Sequence, residues 1–168
     1  MLSELTSELG IPGEMRVRIG NASDYRQLAR FHYASAAPAS FALTLAIDHM
    51  TGICSRRVIA VAVLSNPALN CRAREAALQL GRVPKEWKWA YLNRHLRTIS
   101  RVIVHPQYRG IGLSSAVVRF MLQQAPTRYV ESISRLAAHH PLFERAGMRC
   151  LVRAQAGGPA YYLHDRSP

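Results

Sequence analysis

Two glycines set two residues apart, in Gln107-Tyr108-Arg109-Gly110-Ile111-Gly112, stand directly before a stretch in which Leu113, Ala116, Val117, Phe120 and Met121 recur at helical spacing. The first N–H groups of a helix have no acceptor within it and lie at the positive end of its dipole. A glycine loop leading into a helix can therefore hold a phosphate or diphosphate. Gly110 and Gly112 would supply positive φ and a close backbone approach. Two common phosphate loops do not fit. The pattern Gly-x-Gly-x-x-Gly fails because position 115 is Ser and no acidic residue follows at the expected distance, and no Gly-Lys-Ser/Thr is present.

A second group is Phe31-His32-Tyr33, inside a run of small residues that ends near Pro38 and Ala39. Small residues allow a ligand to come close. His32 has three readings: a structural histidine, a general acid or base, or a metal ligand. A lone His without a spaced partner is a weak metal signal. The third group lies on two apolar segments. Arg101 alternates with Val102 and Val104 and would point into a cleft, where a buried guanidinium needs an anion. Glu131, on a neighbouring strand, is the candidate partner, either to orient substrate or as a structural ion pair. Ser132 and Ser134 follow it. His139 and His140 precede a short helical segment and would face the cleft, cap the helix or meet solvent.

These residues need a scaffold. Arg16–Ile19 alternates as a strand, with Asn21–Asp24 as turn and helix cap, and Tyr25–Ala34 has helical spacing. Ser40–Ile47 and the fully apolar Val58–Leu64 read as strands around a turn at Met50-Thr51-Gly52. Ala76–Leu80 is helix-forming, and 84–97 reads as a helix with Pro84 near its start. Ile99–Val104 is a strand, and Pro126 ends the helix begun at Leu113. Tyr129–Ser134 is a strand expected beside Ile99–Val104. Pro141–Met148 is a short helix closed by Gly147. Cys150–Val152 and Ala160–Leu163 close the sheet around a turn at Gly157-Gly158-Pro159.

The chain of 168 residues is 49% hydrophobic, so one domain spanning 1–168 is expected, with 1–14 as an arm. No apolar run reaches ~18 residues, so no membrane association is expected. The acidic N-terminus does not resemble a secretion signal. Cys54, Cys71 and Cys150 are too scattered for a disulfide framework or metal site, which suggests a cytoplasmic setting. The net charge is +12, and Lys85 and Lys88 are the only lysines among the 22 cations. Guanidinium groups bind phosphate in a bidentate manner, so this excess suggests a nucleic-acid partner; an acidic protein or a merely basic surface are the alternatives. The segment 84–97 interleaves Lys85, Lys88, Arg94 and Arg97 with Trp87, Trp89 and Tyr91. It is the candidate DNA-binding face, with its aromatics expected to pack inward.

The strand ending Val104-His105-Pro106, the Gln107-x-x-Gly110-x-Gly112 loop and Phe143–Met148 together resemble the GNAT superfamily of N-acetyltransferases. The resemblance implies an α/β (α+β) fold with a twisted sheet of about six to seven strands flanked by helices. It implies acetyl-coenzyme A or a related donor held by Ile103, Val104, Tyr108, Arg109, Gly110, Ile111, Gly112, Leu113 and Ser114. Phe143 replaces the Tyr that often protonates the leaving thiolate there.

Phe31-His32-Tyr33, Asn93-Arg-x-Leu96, Ile99–Gly112, Glu131-Ser-x-Ser134 and His140–Met148 resemble, more narrowly, the Mom family of bacteriophage DNA-modification proteins. That resemblance implies transfer of a carbamoylmethyl group to the adenine N6 amine of double-stranded DNA in the host bacterial cytoplasm, shielding phage DNA from restriction. It raises iron at His32, and a homodimer is compatible with it. His32, Tyr33, Arg101, Glu131, Ser132 and Ser134 are the catalytic candidates. Adenine N6 is stacked and paired in a duplex, so the base would be extruded into a pocket. Phe31 and Tyr33 would stack on it, and Ser132 and Ser134 would donate to its ring nitrogens. A carbamoylmethyl group attaches through CH2, whereas acyl transfer attaches a carbonyl carbon. Two other readings stand beside this one: an N-acetyltransferase acting on a protein or small amine, and a DNA-binding module without activity.

Overall fold

The structure is a computed structural model and describes residues 14–34, 36–51, 55–135, 140–153 and 158–167. The elements are β1 (Met15–Gly20), α1 (Ala22–Leu28), β2 (Leu43–Met50), β3 (Arg56–Ser65), α2 (Arg72–Ala77), α3 (Lys85–His95), β4 (Leu96–Val104), α4 (Leu113–Gln124), β5 (Tyr129–Ser134), α5 (Leu142–Arg145), β6 (Arg149–Val152) and β7 (Ala160–Asp165). They form one seven-stranded mixed sheet, ordered β1-β2-β3-β4-β5-β7-β6, flanked by helices. This is the expected fold class.

α1 begins as its sequence predicts. Asn21 Oδ1 accepts from the Ser23 amide at 2.8 Å, and Asp24 Oδ2 accepts from the Asn21 amide at 2.8 Å. A cap of this kind stabilises by about 1 kcal/mol. The helix stops at Leu28 rather than Ala34, and a 3₁₀ turn, Ala29–Phe31, follows. That turn lays the Phe31 ring edge-on against His105, with centroids 4.8 Å apart. β2 starts at Leu43, later than expected. Ser40 is used otherwise: its Oγ accepts from the Asn66 amide and its carbonyl from Ser65 Oγ.

β3 is buried on both faces, as a continuous apolar run predicts. α4 covers one face, packing Val117, Phe120 and Met121 over Leu45, Ile47, Ile59 and Leu64. α1 covers the other with Tyr25 and Leu28 over Val58, Val61, Val63 and Ile103. Each such side chain contributes roughly 1.5–3 kcal/mol on burial. A third cluster, Leu80, Leu92, Leu96, Tyr129, Tyr161 and Leu163, lies under α2 and α3.

Two irregularities shape the centre. Val63 pairs with Arg101 but Leu64 pairs with Ile99, so Ser100 is the extra residue of a bulge in β4. The parallel β4–β5 ladder spans only Leu96↔Tyr129 to Thr98↔Glu131. β5 was expected beside Ile99–Val104; it pairs instead at the start of β4. Beyond Thr98 the ladder ends, and β4 from Ile99 to Val104, two thirds of its length, has a strand on one side only. The turn at Met50–Gly52 and that at Gly157–Pro159 extend outside the described residues.

Candidate functional site

The break between β4 and β5 opens a cleft of about 550 Å³. Val102, Ile103 and Val104 form one wall; Tyr108, Arg109, Gly110, Gly112, Leu113, Ser114 and Ser115 form its end. Leu142 and Arg145 of α5, with His140, lie opposite, and Phe31, His32 and Tyr33 close the remaining side. All the residues expected to hold coenzyme line this cleft except Ile111, which is exposed.

The end wall is built to receive an anion. Gly110 has φ 87° and Gly112 φ 89°, as the sequence predicts. A Cβ at either would meet nothing within 4 Å, so these glycines are there for backbone conformation rather than for space. No side chain caps α4. The backbone N–H groups of Gly110 through Ser115 have no hydrogen-bond acceptor among the described residues. Six consecutive orphan donors at the start of a 12-residue helix form an electropositive cradle. The preceding turn is held firmly. The Tyr108 amide donates to His105 O at 2.9 Å, and the Arg109 guanidinium donates to Val104 O and to Phe31 O.

His32 and Tyr33 reach the cleft together, their rings stacked 4.4 Å apart. His32 Nδ1 faces Ala34, accepting from its N–H at 3.0 Å or donating to its carbonyl at 3.2 Å, according to tautomer. Burial holds the His32 pKa below the usual imidazole value, opposed by the Ala34 hydrogen bond and aided by the nearby Arg101 cation. The neutral ring is therefore the form at pH 7. Among the described residues no group of three or more His, Cys, Asp or Glu could hold a metal, so nothing surrounds His32 as a ligand set.

The expected Arg101–Glu131 pair does not form. Arg101 pairs with Val63 on the α1 side of the sheet, where its guanidinium donates to Ser100 O and Ala36 O, each at 2.6 Å. Glu131 is buried on the same face but level with Thr98, near the start of β4 and three residues before Arg101. It accepts from Arg74 Nε and NH2 at 2.8 and 2.7 Å, from Thr98 Oγ1 at 2.6 Å and from Tyr161 OH at 3.0 Å. Arg74 is itself fully buried and also donates to Ala68 O. The set is closed and structural. Ser132 Oγ donates to Ile99 O at 3.3 Å, Ser134 is buried, and neither lines the cleft. Of the six catalytic candidates, the structure brings only His32 and Tyr33 to the cleft. Phe143 lies in the core, its ring 5.2 Å from that of Tyr162. His140 faces the cleft; His139 lies outside the described residues.

α3 differs from expectation. Leu92 is its only buried residue, and Trp87 is 74% exposed rather than packed inward. Trp87, Tyr91 and Arg94 form an outward stripe at i, i+4 and i+7. Lys85 and Arg94 are exposed. Lys88 pairs with Glu75 at 3.0 Å, and Arg97 donates to Asn93 O and Leu96 O at the end of the helix. Two of the four cations assigned to this face are thus already engaged.

No protein-family model matches the chain, and no curated protein matches it. Solved structures do. One is NAA60 of Arabidopsis thaliana in complex with a bisubstrate analogue, 17% identical, covering 90% of this chain and 97% of that one, with a TM-score of 0.56. Another is a GNAT family acetyltransferase from Brucella melitensis in complex with acetyl-CoA, 12% identical, covering 92% and 89%, TM-score 0.55. A third is the GNAT family N-acetyltransferase YhbS from Escherichia coli in complex with CoA, 14% identical, covering 90% and 81%, TM-score 0.52. At these identities the likeness is one of fold.

Proposed function

We propose that the protein is a transferase that binds an acyl-coenzyme A in the β4–β5 cleft and passes the acyl group to an amine. The observation that carries this reading is the row of orphan amides from Gly110 to Ser115 at the end of a cleft of coenzyme size. Those amides hold the diphosphate. The edge of β4 at Val102–Val104, left without a partner strand, offers backbone groups to an extended amide-bearing chain. Bound there, the coenzyme would supply a thioester whose carbonyl carbon is open to attack by nitrogen, the C–N bond forming as the C–S bond breaks and the coenzyme leaving as its thiolate.

The chain's own residues handle the acceptor. Neutral His32 takes the amine's proton at Nε2 when its Nδ1–H is donated to Ala34 O. Arg101 fixes the segment that carries His32 by gripping Ala36 O. In titration calorimetry, coenzyme A should bind the purified chain, and Gly112→Ala should abolish most of that binding. An absence of binding by the unaltered chain refutes the reading.

A second reading takes the amine to be adenine N6 in DNA, with carbamoylmethyl as the group transferred. Charge favours it. Asp24, Asp48, Glu75, Glu131 and Asp165 are all in salt bridges with Arg or Lys, and Glu14 pairs with His49. Among the described acids only Glu86 and Glu144 lack such a partner. Among the described residues the arginines outnumber the acids that could pair with them, and the surplus suits a polyanion. Tyr33, 62% exposed at the cleft mouth, could stack on an extruded base. Nucleoside mass spectrometry of plasmid DNA from expressing bacteria separates the readings. Modified adenosine supports DNA; unmodified DNA together with acetylated small amines or protein supports the general N-acyltransferase.

A further inference from the structure

Tyr108 lines the cleft two residues before Gly110, and its hydroxyl is hydrogen-bonded to a residue of β2. It lies 2.7 Å from His49 Nδ1, with the rings edge-on at 5.6 Å. On the other side of the imidazole, Nε2 is 3.2 Å from Glu14 Oε2, and Glu14 is exposed. A residue of the anion loop is thus connected to solvent through a histidine two strands away. Neither His49 nor Glu14 stands out in the sequence.

The direction of the Tyr108–His49 bond depends on one proton. With a neutral ring, the Tyr108 O–H donates to Nδ1, and Nε2–H donates to Glu14. The hydroxyl proton is then spent, and what the hydroxyl can offer an anion is repulsive lone pairs. With a protonated ring, Nδ1–H donates to the Tyr108 oxygen, and the hydroxyl proton is released to donate elsewhere. An imidazole is the side chain that changes charge between pH 5 and 8. The other charged or titratable groups around it are Glu14 before β1, Arg57 on the adjacent position of β3, and His105 and Arg109 in the turn after β4.

We propose that His49 is a positioning residue whose protonation turns the Tyr108 hydroxyl into a donor for the coenzyme's diphosphate, so that coenzyme binding takes up a proton. The proposal rests on the coenzyme reading of the cleft. Its probe is dephospho-coenzyme A, whose diphosphate diester does not titrate near neutral pH. Calorimetry in buffers of different ionisation enthalpy reads the protons taken up. The expected result is net proton uptake on binding, with affinity rising about tenfold as pH falls from 8 to 5.5, the effect of one added hydrogen bond to a charged group. His49→Gln and Tyr108→Phe should each bind with no uptake and a flat pH profile. Uptake that persists in either variant overturns the proposal and leaves the coenzyme reading standing. So does binding by the unaltered chain without uptake. No binding of dephospho-coenzyme A or coenzyme A by the unaltered chain overturns both.

Discussion

The carboxylate of Glu131 is gripped by the guanidinium of Arg74 through two hydrogen bonds, 2.8 Å from Nε and 2.7 Å from NH2, with both side chains out of contact with solvent. Burial and the Glu131 charge push the Tyr161 hydroxyl far above its ordinary pKa, so it remains a donor to that carboxylate. Removing one partner of such a pair strands a buried charge at a cost of about 3–5 kcal/mol. Arg74→Met should lower unfolding stability by that order in urea titration. Glu131→Gln, which strands the Arg74 cation and turns an NH2 toward two donors, should cost at least as much. If Arg74→Met unfolds at the same urea concentration as the unaltered chain, the pair is not a structural anchor.

The glycine loop makes a separate prediction. Gly112→Ala forces a Cβ into a left-handed backbone conformation, costing roughly 1–2 kcal/mol. The space beside it is open, so the fold should survive. Coenzyme affinity should fall by more than tenfold, because relief of the strain moves the amides out of register (about 1.4 kcal/mol per tenfold). Unchanged affinity in calorimetry would separate the amides from anion binding.

Stability should depend on pH through two histidines. Burial, aided by Arg101, lowers the His32 pKa. Burial, then Arg57, Arg30 and Arg109, lowers that of His105. For a depressed histidine the unfolded chain binds more protons than the folded one, between the folded and the ordinary imidazole pKa. These two residues therefore stabilise the fold above the ordinary value and lose that contribution as pH falls through it. The melting temperature should drop from pH 7.5 to 5.5, and His105→Gln should flatten the slope. An equally steep slope in that variant would exclude His105 as its source.

Arg101 tunes the same site kinetically. Arg101→Met removes both the grip on Ala36 O and a cation that depresses His32. The acid limb of the pH–rate profile should move upward, toward the ordinary imidazole pKa, and the acceptor KM should rise several-fold. Coenzyme affinity should hold, since Arg101 does not line the cleft. A profile that stays in place would remove His32 from proton transfer.

The outward stripe of α3 predicts unequal effects among its cations. Arg94→Ala and Trp87→Ala should each weaken single-stranded DNA binding about tenfold in fluorescence anisotropy, through a lost phosphate contact and a lost stacking surface. Lys88→Ala should do little, because its ammonium already holds Glu75. Equal losses across all three would point to diffuse charge instead of a defined face.

What could be read without coordinates was local. The capping box at Asn21, the two-sided burial of β3 and the positive φ at Gly110 and Gly112 each follow from a few adjacent residues, and the periodicity of α4 follows from its own turn. The orphan amides of the glycine loop were legible for the same reason, since an orphan N–H is set by the chain's own dihedral angles. Partnerships across the sheet were not legible. Alternation along β4 aimed Arg101 at Glu131, but β5 pairs only with the start of β4, so Glu131 lies level with Thr98 and is held by Arg74, and no residue type signals that register. The buried role of Arg74, the outward turn of Trp87 and the link from Tyr108 to His49 depend on contacts 57, 59 or more residues apart or on how little of α3 is covered. Sequence determined which segments could hold an anion and form the sheet, because those properties belong to neighbouring residues. Packing alone decided which charges meet, because the register of one strand on another sets which side chains lie level, and only the folded sheet records that register.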